Sequence, residues 1–160
     1  MKAAHSREQF DLIVGAPVDV AWPLFGALRE RDWAPDWHPE FVWPEMAADR
    51  QGMVFKIARG ETTAVWVNTS FDRTANRVQY VYFIPDTLVT VITLTLTQAG
   101  SSTRVEVSYE RTALTEKANE LVGQMAARDK LAGPEWSAQI DRYLRCPTNR
   151  HPQFFETQPR

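Results

Sequence analysis

Two neighbouring stretches, LVTVITLTLT (Leu88–Thr97) and TRVEVSYER (Thr103–Arg111), decide the fold class. In the first, Ile92, Leu94 and Leu96 share one face, and Thr93, Thr95 and Thr97 share the other. In the second, Val105, Val107 and Tyr109 oppose Arg104, Glu106, Ser108 and Glu110. A two-residue period of this kind is a β-strand with one buried and one wet face. Antiparallel sheets tolerate that asymmetry, whereas parallel sheets are covered on both sides. Gly100-Ser101-Ser102 between the stretches is turn chemistry, so the pair reads as a hairpin.

The same pattern extends backwards from the hairpin. Further strands are expected at Phe41–Trp43, Met53–Ala58, Thr62–Phe71 and Arg77–Ile84. They are separated by turn-forming segments at 49–52, 59–60, 72–76 and 85–86. Phe10–Val14 reads as a first strand with Phe10, Leu12 and Val14 on one face. Pro17 suits the first turn of a helix, where a missing N–H costs nothing, and Val18, Trp22, Phe25 and Leu28 give that helix one apolar stripe. Pro23 should bend or shorten it. The segment DWAPDWHP (32–39) reads as a short helical turn followed by extended chain. After the last strand a long helix is expected, with Thr115 as N-cap, Ala118, Leu121, Val122 and Met125 as its inward stripe, and a kink or restart at Gly133-Pro134. Trp136, Ile140, Tyr143 and Leu144 continue the inward face. The class is α+β. Residues 8–145 are expected to form one domain and 146–160 a polar, Pro-containing tail. Phe154-Phe155 in that tail reads either as a docking or homodimer contact or as part of a disordered end.

Composition narrows the function. At 160 residues, 44% hydrophobic and 24% charged, the chain has enough apolar surface to build a packed core. A net charge of −2 with mixed signs offers no basic face for nucleic acid. No apolar run reaches the roughly 18 residues that a membrane span needs. The polar start gives no signal-peptide pattern, so a cytoplasmic location is expected. Cys146 is the only cysteine, which rules out an internal disulfide and a cysteine metal cage. Four of the six Trp (Trp22, Trp33, Trp37 and Trp43) fall in the first third, and their area must pack in the core or around a cavity.

The opening FDLIVGAPVDVAWPLFGALRERDWAPDWHP (Phe10–Pro39) and the closing SYERTALTEKANELVGQMAARDKLAGPEWSAQIDRYL (Ser108–Leu144) resemble the START-related superfamily, also called SRPBCC. This group includes polyketide cyclase/dehydrase-like proteins, lipid-transfer domains, plant hormone-binding proteins and the activator of the heat-shock protein 90 ATPase. The resemblance implies a helix-grip fold, a curved antiparallel sheet of about seven strands wrapped around the C-terminal helix, with two short helices after the first strand. It implies a cavity between sheet and helix but no particular reaction.

On the inward register the cavity-facing candidates are Trp66, Asn68, Tyr80, Tyr82, Ile92, Leu94, Val107 and Tyr109. Leu121 and Met125 would close the space from the helix, and Trp33 and Trp37 would stand at an entrance or seal the sheet's end. Each apolar member also fits plain core packing. The polar members need hydrogen-bond partners once buried, or a ligand that supplies them. Arg111 extends the inward register. It fits a rim side chain that snorkels to water or, if buried, a partner for a ligand carboxylate or carbonyl. His38, between Asp36 and Glu40, is the one histidine inside the expected fold and a candidate for proton transfer. It lacks the further ligands a metal would require, so no metal site and no cofactor are expected. Three functions follow: binding of a small hydrophobic or aromatic molecule, a cyclase/dehydrase-like enzyme in which Tyr82, Tyr109, Arg111 or His38 acts on a carbonyl or a proton, and a chaperone-ATPase-activator-like interaction module with a sealed interior.

Overall fold

The computed structural model describes residues 1–146, so the Phe154-Phe155 pair lies outside the described residues. Among these residues the strands are β1 (His5–Val14), β2 (Glu40–Trp43), β3 (Val54–Arg59), β4 (Thr62–Asp72), β5 (Arg77–Ile84), β6 (Leu88–Ala99) and β7 (Ser102–Ala113). They form one antiparallel sheet in the order β1-β7-β6-β5-β4-β3-β2. From β2 to β7 it is a meander, and β1 closes onto β7. The expected hairpin is present, with Ile92 opposite Tyr109 and Leu94 opposite Val107. Asn76 and Asp86 take positive φ in two of the connecting turns, a conformation that short polar side chains tolerate better than most. β1 starts at His5, earlier than its apolar residues suggest, because its polar half pairs with the end of β7 (His5 with Thr112, Arg7 with Glu110).

After β1 the chain makes α1 (Val18–Ala21) and two 3₁₀ turns, Trp22–Phe25 and Arg29–Asp32. Pro23 sits at the start of the first turn, where the α-helix ends, in keeping with its missing donor. The C-terminal helix is not continuous. A 3₁₀ turn at Glu116–Ala118 leads into α2 (Asn119–Asp129), and α3 (Ala132–Arg145) follows. The break falls at Lys130–Leu131, before Gly133-Pro134, and Pro134 occupies the first turn of α3 without loss. Thr115 does not cap the helix through its side chain; its hydroxyl donates to the Asp86 carbonyl at 3.2 Å.

The concave face carries the core, including Phe10, Leu12, Val14, Phe55, Val105 and Val107. α3 packs on β1, and α2 on β1 and β7. α2 buries Val122, Ala126 and Asp129, Ala118 is buried in the turn before it, and Met125 packs against the core. The predicted inward residue Leu121 is instead 37% exposed, because it lies one position outside that stripe. α3 approaches β1 closely at Gly133, where an added Cβ would lie 3.0 Å from the Asp11 carbonyl oxygen and 3.3 Å from the Phe10 ring. Asp11 is held in register opposite Glu106, so the strand cannot easily retreat. Gly133→Ala should therefore cost about 1–2 kcal/mol, overpacking outweighing the better helix propensity of Ala. Urea denaturation of the variant would measure this.

Candidate ligand cavity

The strand register places the site residues in two rows across the sheet. One row runs Phe55, Trp66, Tyr82, Thr90, Arg111 from β3 to β7, and the next runs Asn68, Tyr80, Ile92, Tyr109 from β4 to β7. In the first row Trp66 is stacked on both sides: on Tyr82, with ring centroids 4.2 Å apart, and on Phe55 at 5.5 Å. At its far end Arg111 is 3% exposed. It donates through Nε and Nη2 to the two carboxylate oxygens of Asp129 on α2, at 3.0 and 2.8 Å. Its Nη1 donates to the Thr90 hydroxyl at 3.0 Å and to the Tyr82 hydroxyl. The guanidinium also lies 4.7 Å from the Tyr109 ring centroid. Burial opposes the charge on Arg111, but the Asp129 and Tyr82 contacts outweigh it and raise its pKa. The sequence offered a rim side chain or a ligand partner; the structure makes Arg111 a buried cation already paired by the protein.

The opposite wall is built by the chain after α1. The Trp33 indole N–H donates to the Leu24 carbonyl at 2.7 Å and that of Trp37 to the Ala27 carbonyl at 2.8 Å, so both tryptophans fasten the 3₁₀ turns. Asp49 accepts from the Leu28 N–H at 3.0 Å, and Arg29 donates to the Tyr143 hydroxyl of α3 at 3.0 Å. Held in this way, the second turn presents Glu30 to the interior.

Between sheet, turns and helices lies a cavity of about 370 Å³. Trp37, Trp66, Tyr82, Tyr109, Met125 and Trp136 form its aromatic and apolar walls; Glu30, Arg111 and Asp129 are its inner polar groups. Exposed Asp36, Arg59, Arg128 and Glu135 surround the mouth. An inner chamber of about 30 Å³ continues past Glu30, Trp66 and Tyr109, and Tyr80, Ile92 and Leu94 line it as well. Burial, helped by the nearby Asp49 carboxylate, pushes the Glu30 carboxyl up to about 8. Burial likewise raises Tyr80 and Tyr109, with Glu30 adding to both shifts. The Tyr80 hydroxyl donates to the Phe25 carbonyl at 3.0 Å. The Trp66 Nε1 is buried without a hydrogen-bond partner, and the Asn68 amide is buried beside the Tyr80 hydroxyl.

Of the residues expected from the sequence, Trp37, Trp66, Tyr80, Tyr82, Ile92, Leu94, Tyr109, Arg111 and Met125 line one or both spaces. Five others do not. His38 is exposed on its loop. Trp33 is buried against Phe25 and Trp136, its indole committed to a backbone carbonyl. Val107 is fully buried in the core opposite Phe10, Asn68 is buried outside the lining, and Leu121 faces outward. The sequence pattern did not single out Asp129 or Glu30, and it placed Trp136 on the inward face without assigning it to the cavity. Asp129 carried a signal, a carboxylate spaced four and seven residues from Met125 and Val122 on an apolar stripe. Glu30, inside the mixed run Arg29-Glu30-Arg31-Asp32, carried none.

No protein-family model matches the chain, and no curated protein is significantly similar in sequence. Solved structures do match. Norcoclaurine synthase from Thalictrum flavum is 13% identical with a TM-score of 0.67, over 90% of this chain and 89% of that one. Its complex with dopamine and hydroxybenzaldehyde gives 14% and 0.65, over 89% and 87%. Zhui aromatase/cyclase from Streptomyces sp. R1128 is 14% identical with a TM-score of 0.65, over 89% and 97%. The architecture is thus a helix-grip fold, shared with these solved structures. Among the described residues no cluster of His, Cys, Asp and Glu could hold a metal ion, and no helix is long and apolar enough to cross a membrane.

Two outcomes follow from this electrostatic arrangement. Asp129→Ala leaves the Arg111 charge buried without a counter-ion and should cost about 3–5 kcal/mol of unfolding free energy, while the double replacement Arg111→Met with Asp129→Leu should recover most of it. Glu30 holds its proton more tightly folded than unfolded, so its contribution is intact below about pH 4.5 and is lost as pH rises toward about 8. Thermal melts of Glu30→Gln should therefore decline less over that window than wild type and lie above it at the alkaline end.

Proposed function

We propose that this protein binds a small, largely apolar aromatic molecule between the concave sheet and helices α2 and α3. The observation that carries this reading is the cavity itself, about 370 Å³ and walled by Trp37, Trp66, Tyr82, Tyr109 and Trp136. Pockets for small molecules fall in this size range and combine apolar walls with a few fixed polar groups. Burial of a ring system would supply the affinity, at about 25 cal/mol per Å² before association costs. The small aromatics held by the norcoclaurine synthase in its complex support the same class of ligand for this fold. The interaction-module expectation called for a sealed interior, and the observed cavity supports the ligand readings instead.

A second reading, a polyketide cyclase/dehydrase-like enzyme, is favoured by Glu30. A carboxyl group with a pKa near 8 inside the cavity can exchange a proton with a bound molecule at neutral pH. Arg111 is bound to both Tyr82 and Asp129, which suits Arg111 and Tyr82 to fix geometry, and His38 is on the surface.

Native mass spectrometry of protein purified without stripping tests both readings. Wild type should carry a small aromatic molecule that denaturation releases. Met125→Trp, which fills the cavity, should lower its occupancy at least tenfold, and Leu121→Trp on the outer face should leave it unchanged. Equal occupancy in all three proteins would place the ligand elsewhere. A carrier returns the released molecule chemically unchanged after incubation, and an enzyme returns it converted.

A further inference from the structure

The inner chamber has room for about one water-sized group. Phe25, Ile92 and Leu94 make it apolar on one side, and the Tyr80 hydroxyl already donates to the Phe25 carbonyl. Trp66 is covered on both ring faces by Phe55 and Tyr82, and Trp37 meets it edge-on at 5.3 Å and 85°. With both faces stacked, Trp66 borders the chamber by its edge, next to Trp37. Its Nε1 is a donor buried with no acceptor. Such a group leaves a hydrogen bond unmade that a bound molecule could complete.

We infer that the inner chamber is a subsite for one uncharged oxygen acceptor of the ligand, a carbonyl oxygen above all, received by the Trp66 indole N–H and the Glu30 carboxyl group. The inference deepens the ligand-binding reading above and rests on it. Glu30 is a donor in this role because burial and Asp49 keep it protonated at neutral pH. Two donors lining one largely apolar chamber select an acceptor atom and reject a methylene of the same size.

Charged ligand groups fit less well. An anion meets the Asp49 carboxylate nearby, and the Arg111 charge is closed by Asp129. A cation would need open aromatic faces, yet those of Trp66 are stacked and Arg111 already lies over Tyr109. The ionisable groups facing Glu30 are Asp49 from the loop before β3, Tyr80 of β5, and Tyr109 of β7. Across the cavity stand the closed Arg111–Asp129 pair and, at the mouth, Asp36, Arg59, Arg128 and Glu135. Both tyrosines are pushed up by burial and stay neutral through the range in which Glu30 titrates.

The test uses acetophenone and its isostere α-methylstyrene, which replaces the carbonyl oxygen by a methylene, in calorimetric titrations of the full chain. Trp66→Phe keeps the stack and removes the N–H. It should weaken acetophenone about tenfold and leave α-methylstyrene within about twofold. Wild-type affinity for acetophenone should also fall about tenfold from about pH 6 to about pH 9.5, as Glu30 loses its proton, with α-methylstyrene unaffected. Glu30→Gln retains a donor and should abolish that pH dependence. The subsite is wrong if Trp66→Phe weakens both probes equally, or if acetophenone affinity is flat or rises with pH; in either case aromatic binding itself survives. If neither probe binds wild type, the subsite and the ligand-binding reading fall together.

Discussion

The bidentate contact between Arg111 and Asp129 sets the distance between the sheet and helix α2. A guanidinium on the concave face of β7 cannot be left without a counter-charge once buried, and its five donors must find acceptors. Asp129 supplies both carboxylate oxygens from the end of α2, and Tyr82 and Thr90 take the remaining contacts from neighbouring strands. The pair acts as a strut. It ties the helix to the sheet while holding it a side chain's length away, where apolar residues alone could have collapsed together.

The aromatic row depends on that strut. Tyr82 is fixed from one side by Arg111 and stacks on Trp66, which in turn stacks on Phe55. Trp37 and Trp136 face this row from the turns and from α3. The result is a hollow with rigid walls and few uncommitted polar groups. Glu30 belongs to the same logic, since the stiff turn that carries it is anchored by indole–carbonyl bonds from Trp33 and Trp37 and by Asp49. Rigid aromatic walls suit recognition of a flat molecule because little side-chain entropy is lost on binding.

Most of the fold was legible because alternation and turn residues speak locally. Gly100, Asn76 and Asp86 all mark turns with positive φ, and the strands between them follow. The cavity rows were also within reach. Once the turns after Ile84 and Ala99 are placed, counting back along the strands brings Tyr82, Thr90 and Arg111 side by side. What the sequence concealed was partnership. Nothing local says that Arg111 would meet a carboxylate eighteen residues on, that Leu121 would sit just outside the buried stripe, or that Glu30 would turn inward from a run of mixed charges. These depend on where α2 breaks and how the 3₁₀ turns close, which are settled by packing between distant segments.

The most direct measurement is a crystal structure of protein taken from cells without denaturation or extraction. It should show the Arg111–Asp129 fork intact, and density for a flat molecule between Trp37, Trp66 and Tyr109. Tryptophan and tyrosine rings closed against one another, with α2 resting on the sheet and no space between them, would contradict ligand binding in the cavity.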